Sequence, residues 1–120
     1  MRRHRYDSIV EGVGLDRLTR NFRQALIDDA CRVSDDETAA MSRRLLSEEG
    51  LFVGSSSAMN VAAARRVALA MGPGHRVVTV LCDSGARHVS RFWSEEWMKQ
   101  QGFFKEKDKD KPGVRESEDQ

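Results

Sequence analysis

The residues with chemical potential sit where apolar runs stop. Val77 to Leu81 is apolar and mostly β-branched, and it ends at Cys82-Asp83-Ser84-Gly85, a carboxylate and a hydroxyl raised on a glycine turn. Two other apolar segments end similarly, at Gly12-Val13-Gly14 and at Gly54-Ser55-Ser56-Ser57. In open parallel sheets, ligands bind just beyond the carboxyl ends of the strands, so three such ends converging would make a ligand cleft. Each alone also has a plain reading. Gly12-Val13-Gly14 lacks the third glycine of a dinucleotide fingerprint and reads as a tight turn. The serine triplet reads as a helix cap. Asp83-Ser84-Gly85 reads as a turn closed by a side-chain bond to its own backbone.

The remaining candidates are weaker. His88 stands beside Arg87 and reads as a surface histidine rather than a catalytic base. No nucleophilic Ser/His/Asp arrangement is supported, because nothing in the order of elements brings a histidine to Ser84. Trp93 and Trp97 are one helical turn apart and read as packing residues. Cys31 and Cys82 have no metal-ligand spacing and lie in or beside apolar runs, which predicts buried free thiols. No metal site is expected.

The bulk numbers narrow the classes. A chain of 120 residues, 39% hydrophobic and 32% charged, reads as one globular domain able to bury a core. Its net charge of +1 supplies no field for nucleic acid or an acidic membrane. No apolar stretch reaches the length of a membrane span. The basic start, Met1-Arg2-Arg3-His4-Arg5, has no apolar region behind it and does not read as a secretory signal. A cytoplasmic protein is expected, with organelle import as the minor case.

These turns need elements to hold them. Asp7 to Val13 predicts a short strand, Leu15 to Gln24 an irregular stretch or single helical turn, and Ala30 to Val33 a strand. Ser34-Asp35-Asp36-Glu37 is a capping box, the serine reaching forward and the glutamate back. It predicts a helix to Glu49, with Thr38, Met41 and Leu45 on one face and Gly50 in the left-handed stop position. Leu51 to Gly54 predicts a buried strand, and Ser55 to Ser57 the cap of a helix to Met71. That helix is apolar on most sides, as in one buried within a larger body. Arg76 to Leu81 predicts a strand covered on both faces. Arg87 to Gly102 predicts a last helix, followed by a mixed-charge tail that buries nothing. The order implies an α/β fold with short parallel strands covered by helices. The expected division is a domain over 1–104 and a disordered tail over 105–120.

Three stretches, "EGVGLDRLTRNF", "RVSDDETAAMSRRLLSEEGLFVGSSSAMNVAA" and "GPGHRVVTVLCDSGARHVSRFW", in this order resemble the C-terminal third of cysteine synthase and its cystathionine β-synthase relatives. The resemblance covers about residues 6 to 93 and implies a fold-type II pyridoxal-phosphate enzyme that makes cysteine by β-replacement of O-acetylserine with sulfide. It implies that Ser84 hydrogen-bonds the pyridine nitrogen of the cofactor. Gly12, Val13 and Gly14 would line the substrate cleft, and Gly54 to Ser57 would start the helix beneath the site. It also implies an amino-acid substrate, and either a homo-oligomer or pairing with the rest of the fold.

The departures are equally specific. The family's anchoring lysine, asparagine loop and phosphate turn lie upstream of the part this chain resembles. Independently, the first lysine here is Lys99. Ala86 and His88 stand where relatives carry a polar residue and a tyrosine. The expectation is therefore an incomplete, catalytically inactive piece of a cysteine synthase-like enzyme. One rival is a non-catalytic module that pairs with a full-length homologue or acts as a regulatory pseudoenzyme. Another is a free-standing nucleotide- or phosphate-binding domain using the serine triplet at a helix N-terminus.

Overall fold

The computed structural model describes residues 8–104. The expected strand beginning at Asp7 lies partly outside them, and the expected tail wholly so.

Helix α1 (Arg20–Arg23) is a single turn capped by Thr19, as expected. Helix α2 (Asp35–Glu49) begins at the capping box. Ser34 Oγ accepts from the Glu37 N–H at 3.2 Å, and Glu37 returns a carboxylate oxygen to the Ser34 N–H at 2.8 Å. Gly50 ends the helix at φ 68°, ψ 20°, its N–H bonded back into the last turn. Thr38 and Leu45 are buried and Met41 half-buried, so the inward face is the one the sequence indicates. Helix α3 (Ser55–Met71) packs against α2.

Several expectations are corrected. Glycine 54 is the cap of α3, and the three serines lie inside the helix, making no cap bond to it. The hydroxyls of Ser55 and Ser57 are claimed by neighbouring segments instead. The start of α3 is buried, but from Arg65 onward it is exposed, with Leu69 at 66%. Among the described residues only α2 covers it extensively, so a helix built for burial shows apolar surface. The expected final helix is broken. Gly85–His88 is a 3-10 turn, residues 89–93 form turns, and α4 is only Glu95–Gln100. Ser94 caps α4 afresh, its Oγ accepting from the Trp97 N–H at 3.2 Å.

The expected parallel strands are not formed among the described residues. The β-pairing present is a single antiparallel bridge, Val53 to Ser84. A strand is defined by its partner, and these segments meet side chains instead. Ile9 donates its N–H to Asp35 at the head of α2 at 3.0 Å, rather than to a neighbouring strand. The Val80 carbonyl accepts from the Asn60 side chain at 3.0 Å, while Val78 is 85% exposed. Cys31 and Cys82 are free, as expected, but exposed rather than buried, because the segments carrying them are uncovered.

The core lies in two parts. One joins Ile9, Val10, Ala39, Phe92 and Met98, with Trp93 and Trp97 packed on it. The other joins Leu45, Val53 and Ala58 between α2 and α3. The two tryptophans are packing residues, as their spacing suggests. No helix among the described residues is long and apolar enough to cross a membrane.

Candidate functional site

The Val53–Ser84 bridge brings two of the three expected turns together. Gly54 donates its N–H to the Asp83 carbonyl at 3.1 Å, and Gly85 donates to the Phe52 carbonyl at 3.1 Å. Both glycines are demanded by this closeness. A Cβ on Gly54 would lie 1.9 Å from Asp83 Oδ1, and one on Gly85 would lie 2.5 Å from the Phe52 ring.

Ser57 closes the same joint from within α3. Its hydroxyl oxygen accepts from the Cys82 N–H at 2.8 Å, and it donates toward the Asp83 carbonyl at 3.3 Å. Ser55 accepts from the Glu11 N–H at 3.2 Å. Both serines therefore serve as buried couplings, and the Ser57 proton is directed at the Asp83 carbonyl rather than at an anion beyond the helix end. Glu11 brings the third turn alongside. Gly12 and Gly14 follow it, at φ 75° and 74°, a left-handed backbone that suits glycine. They and Val13 are exposed.

Ser84 is exposed at the head of the 3-10 turn. Its oxygen accepts from the Ala86 N–H at 3.2 Å. That bond uses a lone pair and leaves the O–H as a donor for an acceptor outside the chain. The turn is backed by aromatic packing. Trp93 donates its indole N–H to the Val53 carbonyl at 2.8 Å, and its ring meets Phe52 edge-on at 4.7 Å. The Arg43 guanidinium lies 4.1 Å from the Trp93 ring centre and donates to the Phe92 carbonyl at 2.7 Å. Burial lowers the Arg43 pKa from its ordinary value, with Glu95 opposing.

The sequence reading missed His88. It is buried, not a surface residue, with Nε2 2.8 Å from Asp83 Oδ2 and Nδ1 3.6 Å from Glu11 Oε2. Arg91 completes the group, donating to Glu11 Oε1 at 3.1 Å. The available signal was the five-residue spacing from Asp83 across a glycine turn, which folds the histidine back on the carboxylate. Ser84 bonds Ala86 and not the imidazole, so this pair does not make a nucleophilic triad.

The donor set can be matched to a pyridine-type cofactor. A neutral, exposed hydroxyl that already accepts one bond fits a partner for an unprotonated ring nitrogen. Among the described residues Lys99 is the sole lysine. It lines a cavity of about 300 Å³ with Arg43, Glu95 and Phe104, none of them in the Ser84 turn.

Comparison with known proteins finds relatives that match most of the chain. The chain is 57% identical over 104 residues to cysteine synthase 2 of Schizosaccharomyces pombe, covering 85% of this chain and 26% of that protein. It is 44% identical over 96 residues to cysteine synthase of Dictyostelium discoideum, covering 80% of this chain and 25% of that protein. Cystathionine beta-synthase of Rattus norvegicus is 39% identical over 97 residues, 81% of this chain and 17% of that protein. The chain thus spans about a quarter of the length of the first two. Residues 1–83 match the model of the pyridoxal-phosphate dependent enzymes, and on that match the chain belongs to this family, whose fold is type II.

Proposed function

We propose that this chain forms the cofactor-facing C-terminal part of a cysteine synthase, with Ser84 as the partner of the cofactor's ring nitrogen. The observation that carries the reading is the Ser84 hydroxyl, held by the Val53 bridge and the Ala86 N–H with its own proton left to donate. In the reaction sulfide displaces acetate from O-acetylserine. A C–O bond at Cβ breaks, a C–S bond forms, and cysteine and acetate leave. Pyridoxal phosphate supplies an electron-withdrawing ring that eases loss of the α-proton and of the β-substituent. The chain's own contribution is narrower. Ser84 holds the ring nitrogen with a neutral donor, and Gly12, Val13 and Gly14 form one wall of the cleft. The anchoring lysine and the phosphate turn are assigned to sequence matching the remaining part of the relatives. In that complete body the segments at 51–54 and 76–81 join parallel strands. The reading carries a cytoplasmic location, with import into an organelle as its variant.

A second reading is favoured by one observation. The exposed apolar side chains of Val78, Leu69 and Leu26, the last 99% exposed, suit a module that pairs with a full-length homologue or with another copy.

The test joins this chain to the Schizosaccharomyces pombe relative in place of the matching quarter, and follows cysteine formation from O-acetylserine and sulfide. Cofactor binding with synthase activity supports the first reading. A soluble chimera that binds no cofactor overturns it. Capture of the unmodified relative by the free chain, with no gain of activity, establishes the second.

A further inference from the structure

We propose that His88 is a positioning residue that couples the Glu11–Gly14 segment to the turn presenting Ser84. The inference rests on the role proposed above for Ser84 and names a device that supports it. His88 is only 8% exposed, and it stands between two carboxylates from segments far apart in sequence. Its Nε2 and Asp83 Oδ2 share a hydrogen bond of 2.8 Å, in which the imidazole donates. Its Nδ1 faces Glu11 Oε2 at 3.6 Å, too long for a good hydrogen bond, and is buried without a hydrogen-bond partner. Arg91 holds that glutamate from the other side.

The imidazole is rigid and buried, so it stands as a spacer between the two carboxylates, bonded to Asp83 and facing Glu11. Asp83 cannot yield on its far side, where its Oδ1 is buried without a hydrogen-bond partner and pressed against the backbone of Gly54. Ser84 is the next residue along. A shift of the imidazole therefore moves the peptide that orients the Ser84 hydroxyl. The same shift loosens Glu11, whose N–H is tied to Ser55 and whose successor is Gly12. Wall and cofactor partner thus share one support.

The test uses hydrogen exchange on the full chain, read at the amides of Glu11, Gly54 and Ala86, with the amides of α2 as the internal reference. His88→Leu removes the donor, while His88→Gln keeps an N–H able to reach Asp83. The leucine variant is expected to speed exchange at all three amides by about tenfold with α2 unchanged, and the glutamine variant to restore most of the protection. Wild-type exchange in the leucine variant overturns the proposal, as does a glutamine variant no better than leucine. Should the leucine variant lose protection throughout α2 as well, Glu11→Gln decides, since that side chain is exposed and its change leaves the core intact. Faster exchange at Ala86 as well as Glu11 supports the coupling, and an effect confined to Glu11 overturns it. None of these measurements needs the cofactor. A failure of Ser84 to contact the ring would show in the chimera's spectrum and leave the exchange result standing.

Discussion

The indole N–H of Trp93 donates to the carbonyl of Val53 across 40 residues of sequence, at 2.8 Å. Val53 is the bridge partner of Ser84, so the indole braces the residue that pairs with the Ser84 turn. Trp93→Phe keeps an aromatic ring against Phe52 but leaves that carbonyl without its donor. A loss of about 1–3 kcal/mol is expected, as for a buried acceptor left unpaired, and urea unfolding measures it.

Gly54→Ala presses a methyl into the Asp83 carboxylate. Overpacking of this kind costs about 1–3 kcal/mol. The same substitution made in an Asp83→Ala background is expected to cost less, because the nearest clashing atom is gone and the contact at 2.9 Å to His88 Nε2 is what remains. A double-mutant cycle on unfolding free energies gives the comparison, and equal costs in both backgrounds would contradict the contact.

Ser84 is best read through absorbance in the chimera. Ser84→Ala removes the neutral hydrogen bond to the ring, about 0.5–1.5 kcal/mol, together with the bond from the Ala86 N–H, so activity falls by at least roughly two- to tenfold. Ser84→Asp places an anion against the ring nitrogen, favours its protonated form and shifts the absorbance band of the bound cofactor. Identical spectra for serine, alanine and aspartate, with cofactor demonstrably bound, would leave Ser84 as a turn residue only.

Acid sensitivity is expected at the head of α2. The Ser34 backbone N–H first, then the Arg66 guanidinium, hold the Glu37 carboxyl below its ordinary pKa of 4.5. A carboxyl with a lowered folded pKa contributes stability above the unfolded value and loses it as pH falls through the folded one. Wild type is therefore expected to exceed Glu37→Gln in stability at neutral pH, with the gap closing below pH 4.5. Thermal melts across that range test the sign.

Self-association is expected from the uncovered faces. Val78→Lys with Leu69→Lys puts charge on two of the exposed apolar positions. Sedimentation should then show the mass falling toward the 13.6 kDa of one chain. An unchanged distribution would place the contact elsewhere.

What could be read in advance divides by the range of the interaction. The capping box at Ser34, the stop at Gly50 and the single turn near Arg20 were legible, because each is settled within a few residues. The meeting of Gly54 with Asp83 was anticipated as a convergence of turns. Its antiparallel bridge was not, because register belongs to two segments and neither states it alone. The apolar runs at Asp7 to Val13 and Arg76 to Leu81 carry strand composition without a partner among the described residues. His88 escaped because its burial is decided by Asp83, Glu11 and Gly54, which the fold brings around it, not by its immediate neighbours. The break after His88 was likewise hidden, since the residues of 89–93 suit a helix and only the bend toward Val53 forbids it.

The joint at Ser84 also sets an order of assembly. Helices α2 and α3 are neighbours in the chain and can pack after closing a loop of a few residues. The bond from Glu11 to Ser55 spans 44 residues, and that from Arg91 to Glu11 spans 80. Such closures carry a larger entropic cost and are favourable only once the helices provide a surface to close upon. The corner that would meet the cofactor is therefore expected to form after the helical pair on folding and to open before it on heating.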